Sequence, residues 1–468
     1  MEEIDRAHLE DGDGGKTPGL WWALAPVIFL ISSLSYVIIE LEDDPRIPII
    51  LGAVMAAFVG WKHGYSWKTM QAGIVRGISV VLPAILILML IGIMIGLWIS
   101  GGVVPLMIHT GLRVLSPEGF LPAACVLCSV VSLATGSSWT TAGSVGIALI
   151  GVGNGLGISP AMTAGAIISG AYFGDKMSPL SDSTNLAPAV VGVELVDHIK
   201  HMIFTTGPSF LIALVGFWFL GSRASGSAPD LGEIPLILEA LESNFSLSPL
   251  LWMAPVLVFG MVAMRVPAIP ALFCGGLLGA VFSAWPQGHG ISAILGYAQG
   301  GFTPDTGLAS LDELLGKGGL DSMMWTISLI ICASTFGGLM ESTGQLRAIG
   351  QSILKVAKSR GSLVSSTALT AIGTNLMAAD QYLAIILPGR MFREAFEAKK
   401  LHAVNLSRVL EDTGTLTSPL VAWNTCGATM TAALGVATGD YWMFCLFNLI
   451  NPVVSILYGF TGWTMRKA

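Results

Sequence analysis

The chain is short of charge. Charged residues make up 11% of its 468 positions, less than half of the roughly 25% found in an ordinary soluble domain, so the polar shell that keeps a large globule in water is missing. Positive charge is scarcer still. With 23 Lys and Arg against 30 Asp and Glu, the net charge is -7, and no basic face for nucleic acid remains. Cysteine is sparse as well: Cys125, Cys128, Cys274, Cys332, Cys426 and Cys445 nearly all sit inside apolar runs and read as small core residues. Cys125 and Cys128 form a C-x-x-C without further ligands nearby and without an exposed setting for a thiolate, which argues against zinc and redox chemistry alike. Residues 1–20 lack a positive segment followed by an apolar core. They read as a disordered acidic tail (Glu2, Glu3, Asp5, Glu10, Asp11, Asp13) rather than a cleaved signal.

What is present is hydrophobicity. At 53% apolar residues and a mean hydropathy of +0.73, the composition is that of a polytopic membrane protein. Spans or half-spans are expected at 21–39, 47–59, 80–99, 101–111, 121–134, 201–220, 250–262, 271–284, 323–340, 363–378, 382–387, 403–422 and 441–460. Lys62, Lys68 and Arg76 make one loop basic, whereas Glu42, Asp43 and Asp44 make the preceding one acidic. The positive-inside bias therefore places both termini in the cytoplasm of a cell-membrane protein, with Arg466 and Lys467 agreeing. The organisation expected is a tail (1–20), N-terminal helices (21–78), a first repeat (79–221), a linker with a helical pair and a glycine-rich acidic loop (222–321), and a second repeat (322–468).

The most informative stretch interrupts the apolar run 161–193: Gly174, Asp175, Lys176, Met177, Ser178, Pro179, Leu180, Ser181, Asp182, Ser183, Thr184 and Asn185. An Asp at the centre of a membrane helix costs about 2.5 to 3.5 kcal/mol on insertion scales, so it marks an ion path or a paired site. Pro179 removes a backbone donor and Gly174 adds freedom, so a helix break is expected here. Broken backbone at membrane depth is tolerated only where protein buries it or it lines a wet cavity.

A second series echoes the first. Gly373, Thr374 and Asn375 follow Gly136, Ser137 and Ser138; Asp412 and Thr415 follow Asp175 and its neighbours; Ser418 and Pro419 follow Ser178 and Pro179, with Asn424 beyond. Polar segments interrupted by Gly and Pro at matching positions point to a carrier built from repeats. The fold expected is an all-α polytopic membrane protein of two inverted repeats, whose broken helices or re-entrant segments meet near the bilayer midplane.

Such oxygen-rich breaks suit a hard cation such as sodium. Asp175, Ser178, Asp182, Ser183, Thr184, Asn185, Asp412, Asn375 and Asp380 are the candidate ion-binding and coupling residues, with Asp175, Asp182 and Asp412 as the sodium carboxylates. Lys176, Gly174, Pro179, Ser137, Ser138, Thr374, Thr415, Ser418 and Asn424 support them, Lys176 as internal counter-ion. A carboxylate in a nearly dry site holds a proton or a sodium ion and seldom neither, so one ion exchanges for the other. The competing readings are a structural Asp175–Lys176 pair or an ordinary loop at the water interface. Asp380 either lines the site or caps the helix that follows it.

The run 170–185, taken with Asp412 to Leu420 and Trp423 to Thr425, resembles the NhaC-type sodium/proton antiporters over about residue 21 to the C-terminus. That resemblance implies an antiporter of sodium ions and protons, in a family that also holds exchangers coupling these ions to malate and lactate. The partners expected are sodium ions, protons and the bilayer, with no cofactor; a homodimer is compatible with the chain but not read from it. An intramembrane enzyme would need a base beside a nucleophile, and His109 is the one stray histidine available. Glu194, His198 and His201 share a helical face, but read as a helix end at the membrane surface rather than a metal site. Residues 151–157 match a dinucleotide fingerprint without any surrounding strand. Glu341 reads as interfacial, and the basic residues at 347–360 and 390–400 as cytoplasmic surface helices.

Overall fold

The computed structural model describes residues 15–41, 43–225, 233–264, 266–355 and 357–468. The acidic tail lies outside them as far as position 14, as do Glu42 and the middle of the linker. From Gly15 onward the expected tail is docked: the Lys16 N–H donates to the His63 carbonyl at 2.9 Å.

The described chain is helical, with Leu401 and Lys467 forming an isolated bridge. It opens with α1 (Leu20–Ser35) and α2 (Arg46–Lys62), followed by α3 (Trp67–Ser100). At 34 residues α3 is about 50 Å long, more than a bilayer core requires. Short α4 (Val103–Val114) leads to α5 (Pro117–Thr135), and α6 (Ser138–Thr141) runs through a π turn (Ala142–Gly146) into α7 (Ile147–Gly155). After α8 (Pro160–Met177) and α9 (Asp182–Val191) comes the long α10 (Leu195–Ser225). The linker expected at the start of 222–321 contains α11 (Glu233–Asn244), which bends by 96° into the segment holding α12 (Met253–Ala263). The expected glycine-rich loop carries α14 (Ile291–Gly300) and α15 (Ala309–Leu315) after α13 (Ala268–Ala284). The second series is α16 (Met324–Ser342), α17 (Gln345–Leu354), α18 (Arg360–Ala378), α19 (Gln381–Ala398), α20 (Ala403–Leu410) with a π turn at Glu411–Thr415, α21 (Thr425–Leu434), α22 (Thr438–Tyr441) and α23 (Leu446–Thr461). Among the described residues four helices are long and apolar enough to cross a membrane, or up to six spans if each bent pair counts as one.

Polarity is arranged inside out relative to a soluble protein. On α10, Leu211, Val215 and Trp218 are 64%, 70% and 60% exposed, whereas Thr205, Thr206 and Ser209 of the same helix are buried. Lipid solvates the first face, and protein satisfies the second.

Gly174 does not act as the hinge the sequence suggested. It lies inside α8, where a Cβ would strike the Ser129 carbonyl and the Leu133 amide of α5. Its role is close approach of two helices, and the break comes four residues later, at Ser178. Gly174→Ala is expected to lower stability by about 1–3 kcal/mol through overpacking. Thermal unfolding in detergent checks this; an unchanged midpoint would show that α5 can step aside.

Candidate functional site

Two helix breaks cross in the first half. Gly136 ends α5 with φ +68°, the left-handed conformation that lets the chain turn, and Ser137 then caps α6 by accepting from the Thr140 N–H at 3.1 Å. Across from it α8 unwinds at Ser178, where proline follows. Ser181 caps α9, and Leu180 lies against Gly136 so closely that a Cβ there would sit 2.7 Å away. Thr184 Oγ1 donates to the Asp175 and Lys176 carbonyls at 3.1 and 3.0 Å, satisfying the open end of α8. Asn185 does the same for Pro179 and Ser181 at 2.9 and 2.7 Å. Thr184 and Asn185 are therefore engaged in holding the break.

Asp175 stands where these breaks meet. It is 7% exposed, and its Oδ2 accepts from the Ser138 hydroxyl at 2.7 Å and the Ser138 N–H at 3.3 Å. A carboxylate at the start of the α6–α7 run faces free N–H groups and the positive end of the helix dipole.

A second crossing lies in the other half. Ala379 ends α18 at φ +56°, Asp380 caps α19 by accepting from the Leu383 N–H at 2.9 Å, and the Thr425 N–H of α21 donates to the Ala379 carbonyl at 3.0 Å. The conformational counterpart of 136–138 is thus 379–381. Gly373, Thr374 and Asn375, which the sequence aligned there, lie within α18 instead. Thr374 back-bonds to Thr370, and Asn375 donates to Gly414 O at 2.6 Å and accepts from Asn424 at 3.1 Å, tying α18 to the α20–α21 break.

Both crossings open on one cavity of about 900 Å³. Its walls include Ser137, Ser138, Asp175, Pro179, Asp182, Ser183, Asn185, Asp380 and Gln381. Asp380 therefore both lines the site and caps a helix. Asp182 and Asn185 are exposed, whereas Ser178 is buried with its hydroxyl accepting from the Leu180 N–H.

Asp412 is not among the lining residues, and Lys176 does not pair with Asp175. Successive residues of a helix point to different faces, so Asp175 faces the cavity while Lys176 turns into the protein and forms an ion pair with Asp412. Both are fully buried, and Asp412 also accepts from Thr205 at 3.1 Å and Asn451 at 2.8 Å. Arg408 approaches it to 3.9 Å from one turn earlier.

Sequence reasoning missed Glu411, Arg408 and Gln381. Glu411 is fully buried and accepts from Ser183 at 3.0 Å, a contact between positions 228 apart, and nothing local announces it. Gln381 accepts from Ser418 at 3.0 Å. Arg408 and Asp412 at i, i+4 were a readable signal. Thr415 is buried in the π turn that also holds Glu411. His198 stands in the first turn of α10, the helix end expected there, and is fully buried with Nδ1 2.9 Å from the Ser407 hydroxyl.

Known proteins share this chain along nearly its whole length. It is 40% identical over 453 residues to the Na+/H+ antiporter NhaC of Alkalihalophilus pseudofirmus, covering 96% of this chain and 97% of that one. It is 38% identical to the arginine/ornithine antiporter ArcD of Halobacterium salinarum, over 99% and 96% of the two chains. To the malate-2H+/Na+-lactate antiporter of Bacillus subtilis it is 37% identical, over 93% of each. These relatives are named as transporters, not enzymes. With the Na+/H+ antiporter family matching residues 170–463 as well, this multi-pass membrane protein belongs to the Na+/H+ antiporter family.

Proposed function

We propose that the chain exchanges sodium ions for protons across the cytoplasmic membrane through Asp175, a carboxylate that the two ions occupy in turn. The observation that carries this reading is the position of Asp175: nearly dry, oriented by Ser138, and lining the cavity where two helix breaks cross. Ser138 donates to the charged form, and the cavity side supplies the ion. Asp182 and Asp380 add carboxylates to the same walls, attracting sodium to the site. Asp412 is the anchor of Lys176 rather than a sodium ligand. Exchange follows if the carrier reorients only when Asp175 is neutralised by one ion or the other.

Inverted repeats would explain why a left-handed residue and a capping residue recur at 136–137 and 379–380, each pressed against a second break. Cytoplasmic termini are supported by contacts at the chain's end: the His402 N–H donates to the Arg466 carbonyl at 3.0 Å, joining the C-terminus to the basic segment 390–400.

A second reading rests on the size of the cavity, which at about 900 Å³ is in the range of organic-ligand pockets. The relatives that are malate/lactate and arginine/ornithine antiporters make an organic co-substrate a specific alternative. Sodium-driven proton flux in proteoliposomes, measured with and without malate, lactate, arginine and ornithine, decides between them. Plain antiport predicts full flux with inorganic ions alone. Flux that appears only with an organic substrate would reject it.

A further inference from the structure

Glu411 opens the π turn that follows α20 and is 0% exposed, yet among the described residues no ammonium or guanidinium lies within ion-pair distance of it. Lys176 and Arg408 both turn to Asp412 instead. The groups Glu411 meets are hydroxyls: Ser183 of α9 donates to its Oε1 at 3.0 Å, and Thr415 stands beside it in the same turn. A buried carboxylate attended by hydroxyls alone costs stability rather than adding it.

The Ser183 hydroxyl leads to the cavity. Ser183 lines the chamber that Asp175 faces, and its Oγ lies 3.2 Å from the Oγ of Ser181, which lines the chamber too. One hydroxyl therefore stands between Glu411 and the space that sodium enters. A proton crosses such a group by exchange: the Glu411 acid proton passes to the Ser183 oxygen as the Ser183 hydroxyl proton leaves for Ser181 or for water in the chamber. The serine ends as it began, and Glu411 is left ionised. A hard cation has no such route, because it needs several oxygens around it at once.

The charges around Glu411 suit both of its forms. Lys176 and Asp175 of α8 act on it, Asp412 follows it in the π turn, Arg408 stands 3.9 Å from Asp412, and His198 and His201 face this cluster from α10. With the histidines neutral, Lys176 and Arg408 set two positive charges against the one negative charge of Asp412. An ionised Glu411 makes the cluster neutral, and a protonated one leaves it with one positive charge.

We propose that Glu411 is a second exchangeable proton site, reached from the cavity through the Ser183 hydroxyl and closed to sodium. This rests on the carrier reading above and sets its stoichiometry. Asp175 trades one proton for one sodium ion and Glu411 gives up another, so two protons cross for each sodium ion and each turnover moves one net charge.

The test is the balance point of the full chain in proteoliposomes, without organic substrate and with the membrane potential clamped at zero by potassium and valinomycin. Two protons per sodium ion bring a tenfold sodium gradient to rest against about half a pH unit, and one proton brings it to rest against about one unit. The parent is expected at the first value and Glu411→Gln at the second, because Gln keeps the shape of a protonated Glu and holds no exchangeable proton. Ser183→Ala cuts the hydroxyl path with Glu411 in place. It is expected to move the balance point the same way, and it decides the matter if Glu411→Gln does not elute as a folded, monodisperse protein. Folded variants that stay at half a unit would overturn the proposal, as would a folded Glu411→Gln that carries no flux. A parent that exchanges but balances at one unit rejects the second proton site alone, whereas a parent without sodium-driven flux rejects the exchange reading together with it.

Discussion

Asp175→Asn is expected to reduce sodium-driven proton release from proteoliposomes to the background of protein-free vesicles, with the fold intact. Asn has nearly the volume of Asp, and its carbonyl oxygen can still accept from the Ser138 hydroxyl and N–H that now meet Oδ2. What it loses is the charge that holds sodium and the group that takes a proton. Ser138→Ala provides a graded comparison. It removes the hydroxyl donor and leaves the backbone one, so exchange weakens without disappearing. Monodisperse elution and an unchanged unfolding midpoint would show that Asp175→Asn is folded. Undiminished exchange in that variant would remove Asp175 from the carrier role.

Lys176→Met is expected to have the largest effect on stability. Lys176 and Asp412 are both at 0% exposure, and removing one partner of a buried pair strands the other charge at a cost of about 3–5 kcal/mol. Arg408, 3.9 Å from the second carboxylate oxygen, compensates only in part. Lys176→Met combined with Asp412→Leu removes both charges of the pair and is expected to recover only part of the loss, because buried Arg408 then loses its carboxylate neighbour. Thermal unfolding of the two single variants and the double in detergent gives the coupling directly. Additive losses would show that the pair contributes nothing as a pair.

The break at 178–181 was legible because proline and a cluster of hydroxyls interrupt an otherwise apolar run, and few other signals explain such a cluster in a membrane segment. Asp380 was half legible. A short polar residue before a helical run reads as a cap, but the left-handed turn ahead of it falls on Ala379, where no glycine gives it away. That is also why the sequence set Gly373 to Asn375 against Gly136 to Ser138 and passed over the left-handed turn and cap six residues later. The Lys176 partner was misread for a geometric reason: proximity along the chain suggested Asp175, whereas the helix turns adjacent side chains apart. Glu411 could not be read at all, because its burial is created by Ser183 and α20 packing across more than 200 positions. The docked residues 15–19 and the helices inside the acidic loop depend likewise on distant contacts, such as Lys16 with His63 and Gly319 with Gly92.

Sodium binding followed by calorimetry, over a range of pH and in two buffers of different ionisation heat, tests the central claim most directly. If one carboxylate serves both ions, sodium binding must expel the proton. The apparent sodium affinity then falls as pH drops into the range where Asp175 is protonated, proton release accompanies each binding event there, and Asp175→Asn abolishes both. Sodium binding whose affinity is the same at every pH, with no proton released, would contradict the account.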